Sequence, residues 1–433
     1  MDRRRFLQNS GLAIGAATLP ALKSLGAPPT APAFGTWQDI RTQFQLRPGK
    51  IHMSQMLLAS HPEPVRRAIE MHRQEFDQDA VAYWEANWQT AEIVVQKAAG
   101  AYLQCDPNEV ALTDSTSMGL AMMYSGLVLK PGDEILTSTH DHYATEKSLE
   151  FAASRNGASI RRIVLYKDPS QATADEMVSA VRSAIRPATR IVALTWVHSS
   201  TGVKTPIRAI ADVIAAANAG RDSQARIYFC VDGVHGFGVD DITMGGLGCD
   251  FFAAGTHKWI FGPRGTGILF ARKDASHMIR PVIPAFSFNA YGEWLNLYPA
   301  DKLTFGDTCT PGGFHSFEHR WSLNKAFEWQ MTIGKERVQN RTRQLSTMLK
   351  NGLREMKHVK LHTPVSVELS AGINCFEVNG LTPDQVVAKL AQKNITASSS
   401  PYKTSYARLT PSIVNTEEEV TTALKAIEGL KVG

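Results

Sequence analysis

The chain has 433 residues, 43% hydrophobic and 20% charged, which is the balance of a globular protein with a real core and room for more than one domain. The 46 Lys and Arg are scattered among 41 Asp and Glu and leave a charge of only +5, which speaks against a nucleic-acid binder. Five cysteines, at positions 105, 230, 249, 309 and 375, form no C-x-x-C pair, so neither a zinc site nor a dithiol redox motif is suggested.

Residues 1–33 read as a leader. Asp2-Arg3-Arg4-Arg5-Phe6-Leu7 precedes a mild apolar stretch over 11–22, too short for a comfortable permanent span, and then small residues and prolines. Paired arginines before Phe-Leu resemble a twin-arginine export signal, with Ala27 and Ala33 as cleavage candidates. The mature protein is therefore expected in the periplasm without a stable membrane span. An irregular arm is expected over 34–64, a large domain over 65–320, and a small C-terminal domain with its linking helix over 321–433.

A long helical pattern covers 65–103, with Tyr83, Trp84 and Trp88 near its middle. Strand-like runs follow at 110–112, 134–137, 160–166, 191–195, 227–231, 251–254 and 266–270, and helical runs at 118–127, 144–155, 174–185 and 207–217 lie between them. Such alternation predicts a mostly parallel α/β sheet covered by helices, with ligands gathering at the carboxyl ends of its strands. Residues 281–320 are rich in Pro, Gly and aromatics without periodicity. A helical segment over about 321–356 leads to a strand near 373–378, a helix at 383–393 and a last helix near Thr416, whose hydroxyl can cap it.

The chemistry-bearing residues fall at the strand ends. Lys258 sits between an apolar strand and Trp259-Ile260-Phe261, a setting that desolvates its amine. Asp232 ends the run Ile227-Tyr228-Phe229-Cys230-Val231, where a buried ionised acid needs a partner. A lysine and an acid at the tips of adjacent strands suit pyridoxal phosphate: the amine forms a Schiff base with the cofactor aldehyde and the acid keeps the pyridine nitrogen protonated. Gly262-Pro263-Arg264-Gly265-Thr266-Gly267 is a turn into the next strand and not a dinucleotide fingerprint. Ser115 and Thr116 stand at a helix start; alone they are an ordinary cap, and in the company of Lys258 a phosphate cradle. In Thr139-His140-Asp141-His142-Tyr143 no third metal ligand is evident, so no metal is expected; an aromatic ring here can stack on the pyridine, His142 first and Tyr143 in reserve. His198 is open between two roles, acid–base or cofactor-hydroxyl contact on one side and structural histidine on the other. Arg408 can bind a substrate carboxylate or form a surface ion pair.

Together these segments resemble the class V aminotransferase family, the fold type I pyridoxal phosphate enzymes, from about Ile51 to the C-terminus. The family's Asp-Gly, His-Lys-Trp and Gly-Pro motif is matched by Asp232-Gly233, His257-Lys258-Trp259 and Gly262-Pro263. The resemblance implies a large domain with a mostly parallel seven-stranded sheet, a smaller C-terminal α/β domain and pyridoxal 5'-phosphate as cofactor. It implies that Lys258 carries the cofactor, Asp232 pairs with the ring nitrogen, Ser115, Thr116 and His257 hold the phosphate, His142 stacks, His235 lies near the cofactor hydroxyl where many members have glutamine, and Arg408 takes the substrate carboxylate. Gly255 stands where many relatives place a phosphate-binding serine, and Thr256 is expected to substitute. The likeness is to isopenicillin N epimerase-like proteins. Cysteine desulfurases of the family need a loop cysteine before the arginine, whereas Ala397-Ser398-Ser399-Ser400-Pro401-Tyr402-Lys403 has none. An epimerase-like or aminotransferase outcome on an amino substrate is implied, with a kynureninase-like lyase or hydrolase and a non-catalytic envelope binding protein as alternatives. Family members are typically homodimers, and the aromatic-rich 284–320 loop would suit the interface.

Overall fold

Runs of β-branched and aromatic residues build the sheets of the computed structural model, which describes residues 34–430; the leader expected over 1–33 lies outside them. In the arm lies β1 (Ile51–His52). The central sheet comprises β2 (Val110–Thr113), β3 (Glu134–Ser138), β4 (Ser159–Ile163), β5 (Thr189–Thr195), β6 (Tyr228–Asp232), β7 (Phe251–Gly255) and β8 (Gly267–Ala271). The C-terminal part adds β9 (Val359–Leu361), β10 (Asn374–Val378), β11 (Ile395–Thr396), β12 (Ser398–Ser399) and β13 (Ala407–Leu409).

The seven central strands lie in the order β2-β8-β7-β6-β5-β3-β4. All neighbours run parallel except β8, which is antiparallel to both β7 and β2; residues 256–266 return the chain from β7 to β8 without a crossover helix. Alternate residues feed two cores. Val192, Leu194, Phe229, Val231 and Phe252 face one layer, and Ala193, Cys230, Phe251 and Leu269 the other. Burial on both faces explains why these runs read as continuous apolar segments. β4, at the edge, is half exposed and stops at Ile163, short of the expected 166.

Two long helical patterns are broken. The 65–103 stretch forms Glu63–Gln78, Ala80–Asn87 and Ala91–Leu103. Asp79 ends the first and caps the second, its carboxylate accepting from the Ala82 N–H at 3.1 Å. The 321–356 stretch divides at Gly334, whose φ of +94° no helix accommodates, into Leu323–Ile333 and Lys335–Arg354. The cores divide there too: Leu323, Ala326 and Phe327 pack on the large sheet, and Leu345, Leu349 and Leu353 on the four-stranded sheet β12-β13-β10-β9. Helix Glu417–Glu428 begins with the expected Thr416 cap, completed as a capping box by Glu419.

The arm is less irregular than its sequence suggests. Trp37–Arg41 forms a short helix, and β1 pairs in parallel with β11. The arm thereby links this two-stranded pair to the loop after β7, where the Ala59 N–H donates to the carbonyl of His257 at 3.0 Å. Among the described residues no helix is long and apolar enough to cross a membrane.

The turn after β6 leaves no room for a side chain, because a Cβ on Gly233 would lie 1.9 Å from the Phe252 ring. Gly233→Ala is expected to cost about 1–3 kcal/mol through overpacking, read as a lower urea midpoint at unchanged slope.

Candidate active site

The carboxyl ends of β2, β3, β5, β6 and β7 face one edge of the sheet, where a cavity of about 190 Å³ opens. Its walls bring together Ser115, Thr116, His142, Asp232, His235, His257, Lys258 and Arg408.

Ser115 caps helix Thr116–Gly126, its Oγ accepting from the Met118 N–H at 3.1 Å. The free N–H groups and dipole of this helix start favour an anion. Thr116 Oγ1 accepts from the Gly255 N–H at 2.8 Å and so ties the helix to the end of β7. A Cβ on Gly255 would sit 2.9 Å from both Thr116 Oγ1 and His257 Cε1, which accounts for a glycine at this position. His257 lines the cavity with its Nδ1 buried and unpartnered.

Thr256 is not in the wall. It is fully buried, and its hydroxyl is engaged by that of Thr266 at the entry to β8, away from the cavity. Strand-like alternation displaces His198. Thr195, Val197 and Ser199 face the cavity, and His198 points away, its Nδ1 3.1 Å from the Tyr166 hydroxyl. Burial pushes the His198 pKa down to about 3. The structure therefore does not place His198 to touch a ligand in this cavity. Nor does Tyr143 reach it, being 70% exposed on the outer side of its helix.

Asp232 ends β6 and is 2% exposed. It accepts from the Val234 N–H at 3.2 Å and the Thr145 hydroxyl at 3.3 Å. Burial raises its pKa to about 6, against the pull of the Val234 N–H and Lys258. Lys258 is its counterpart: burial lowers the amine to about 8, Asp232 opposes that shift and Arg408 adds to it. His142 caps helix Tyr143–Asn156 through Nδ1, which accepts from the Ala144 N–H at 3.2 Å. Its ring meets Tyr402 edge-on with centroids 5.9 Å apart. Burial, Lys258 and Arg408 all keep this imidazole neutral.

Arg408 lies on β13 and is 1% exposed. Its guanidinium donates to the Ser199 carbonyl at 2.9 Å, the Ser399 carbonyl at 2.8 Å and Ser398 Oγ at 3.2 Å. Among the described residues no carboxylate pairs with it.

Several residues here carried no signal in the sequence. Tyr402 enters from the loop before β13 and shares a 2.8 Å hydrogen bond with Ser199 Oγ. Met56 and Leu57 come from the arm, and Thr145 from a helix face. Asp141, between two histidines, serves the scaffold: it accepts from Ser138 and from the Thr195 N–H and hydroxyl, fastening the end of β3 to that of β5.

The inventory defines the guest. Two buried cations face one buried carboxylate, and a helix start and an unpartnered imidazole nitrogen add capacity for anions. A molecule carrying a phosphate at one end, a ring cation against Asp232 and an aldehyde near Lys258 satisfies each of these groups.

The profile of the family described as aminotransferase class-V matches residues 84–420. Isopenicillin N epimerase of Amycolatopsis lactamdurans is 24% identical over 351 residues, covering 79% of this chain and 84% of that protein. A probable cysteine desulfurase of Xylella fastidiosa (strain 9a5c) is 26% identical over 359 residues, covering 78% and 80%. Among solved structures, a lysine-to-alanine variant of C-DES with glycine covalently linked to its PLP cofactor superposes with a TM-score of 0.79 at 21% identity, over 90% of this chain and 99% of that one. The apo cysteine desulfurase of Thermococcus onnurineus NA1 gives a TM-score of 0.76 at 20% identity, over 92% and 98%. These two show a shared fold.

Proposed function

Because this chain belongs to the aminotransferase class-V family, and so is a pyridoxal phosphate-dependent enzyme related to isopenicillin N epimerase and the cysteine desulfurases, we propose that it moves the α-proton of an amino acid, with epimerisation or transamination as the outcome. The observation that carries this reading is the meeting of Lys258, Asp232 and Arg408 at one cavity, the first two with pKa values drawn to about 8 and about 6.

Pyridoxal phosphate, when bound, supplies a ring that draws electrons from the substrate's α-carbon. Ser115, Thr116 and His257 would hold its phosphate, His142 would cover one face of the ring, and Asp232 would pair with the ring nitrogen. Asp232 suits that task because it is ionised above about pH 6 and has only two weak neutral donors. Lys258 would hold the cofactor, be released when substrate enters, and then take or give the proton at the α-carbon; an amine near pKa 8 suits both directions at neutral pH. Arg408 would orient the substrate by its carboxylate. The cavity wall contains no cysteine, which argues against sulfur transfer through a protein thiol.

The test is exchange at the α-carbon. Holoenzyme in deuterated water, offered a panel of L- and D-amino acids, is expected to replace the α-hydrogen of at least one of them, followed by proton NMR. Absence of α-deuteration across the panel would overturn the reading and favour a non-catalytic binding protein. Loss of a β or γ group without exchange would favour a lyase.

Two further parts of the reading concern the whole protein. The Arg3-Arg4-Arg5-Phe6-Leu7 leader supports export by the twin-arginine route to the periplasm. Exposed Trp294 and Phe314 in the 284–320 loop support a homodimer. Fractionation of cells and light scattering of the purified protein test them: cytoplasmic retention would remove the first, and a monomer at micromolar concentration the second.

A further inference from the structure

Trp259 follows Lys258 directly and is 2% exposed, with its indole turned away from the cavity wall. Its Nε1–H donates to Nδ1 of His235, which does line the cavity, at 3.3 Å. An indole N–H can only donate, so the imidazole nitrogen facing it must offer a lone pair. In a neutral imidazole the proton then resides on Nε2. His235 is held neutral here, since it is fully buried and the neighbouring Lys258 and Arg408 disfavour a further positive charge.

The indole has little freedom to release this hold. A Cβ on Gly372 would lie 2.4 Å from its Cη2, and a Cβ on Gly238 2.8 Å from the Trp259 carbonyl carbon, so both positions must be glycine for the tryptophan to seat. The Trp259 carbonyl is fixed by Gln330 Nε2 at 2.6 Å. Flipping the His235 ring would set a carbon against the indole N–H and strand a buried donor.

We propose that Trp259 is a positioning residue that selects the Nε2–H tautomer of His235, so that His235 is a fixed hydrogen-bond donor to the anionic oxygen on the cofactor ring. This rests on the proposed function, in which His235 lies beside the cofactor hydroxyl. An amide always has an N–H to offer, whereas an imidazole offers one at Nε2 only if something claims Nδ1. A donor that shares the ring oxygen's charge leaves less of it for the proton on the lysine-linked nitrogen. The chromophore of the lysine-bound cofactor therefore titrates at lower pH than it would without His235 so arranged.

The test combines two spectroscopic readouts on the full chain. First, ring nitrogen shifts of [15N]histidine-labelled protein without cofactor, with the His235 signals assigned by their loss in His235→Gln, are expected to show the neutral Nε2–H form, and a mixture of tautomers in Trp259→Phe. Second, visible titration of the holoenzyme is expected to show the chromophore pKa raised by about 0.3 unit in Trp259→Phe, the cost of drawing one form from an even mixture of tautomers. In a His235→Gln background the same Trp259→Phe change is expected to leave that pKa where it was, because an amide has no tautomer to choose. An equal shift in both backgrounds would mean that the tryptophan acts by packing alone, and would overturn the proposal. So would an Nδ1–H signal for His235 in the unsubstituted protein, or a chromophore pKa indifferent to Trp259→Phe. Failure of the unsubstituted protein to form a chromophore would instead overturn the functional reading, with the tautomer still decided by the nitrogen shifts.

Discussion

Lys258→Ala is expected to abolish covalent retention of the cofactor and to lower turnover by at least about 10⁴-fold, the upper range for a positioned acid–base group, with attachment lost in addition. Lys258 is the one lysine among the residues lining the cavity, so no other amine there can substitute. Borohydride treatment followed by mass spectrometry checks the attachment, and a variant that still fixes the cofactor reductively in this cavity would refute the assignment. The pH dependence gives a sharper form of the same prediction. Attack on an aldehyde requires the neutral amine, and a pKa lowered from 10.5 to about 8 makes that form dominant above about pH 8. Capture of the cofactor by the cofactor-free protein should accelerate about tenfold per pH unit up to that point and then level off. Asp232 raises the Lys258 pKa, so Asp232→Asn should move the break to lower pH. A break near 10 would mean that the amine is not desolvated as placed.

Much of this site was legible because its chemistry lies in short local patterns. Asp232 ends an apolar strand, Lys258 follows the next one, and Ser115 stands between a strand and a helix, so sequence neighbourhood alone places each at the carboxyl edge of a parallel sheet. Arg408 was legible through its flanking Leu-Thr-Pro and the helix cap at Thr416. What escaped was of two kinds. Met56, Leu57, Thr145 and Tyr402 reach the cavity from segments remote in the chain, and nothing in their own surroundings announces it. His198 and Thr256 failed for the opposite reason: they stand next to residues that do line the cavity, yet their own side chains are engaged by Tyr166 and Thr266 away from it, a direction that loop sequences do not reveal. The helix breaks have a similar origin. Asp79 and Gly334 interrupt patterns whose apolar spacing continues across them, and only cap geometry and a positive φ tell the segments apart.

Arg408→Ala is expected to weaken binding of α-amino acids by about a hundredfold or more, within the range of about 2–5 kcal/mol for truncating one partner of a buried charge pair. The guanidinium has five N–H donors, of which Nε, one on Nη1 and one on Nη2 are engaged by neutral oxygens of Ser398, Ser199 and Ser399. One donor remains on each terminal nitrogen, which is the pair that grips a carboxylate in two places. A buried cation with two spare donors and no acidic partner among the described residues is poised for a ligand carboxylate, and burial lowers its own pKa in that state. The loss should therefore be selective. Amines that lack the carboxylate should bind the variant about as they bind the unsubstituted protein, whereas amino acids should not, as read by spectral titration of the holoenzyme with matched pairs. Equal loss for both would show that the substitution had damaged the cavity. The same change has a second, opposite-signed consequence. Arg408 helps to lower the Lys258 amine, so its removal should move the cofactor-capture break to higher pH, against the direction expected for Asp232→Asn. Two substitutions of opposite charge around one amine, shifting one profile in opposite directions, would tie all three residues to a single electrostatic unit; shifts of the same sign would break that tie.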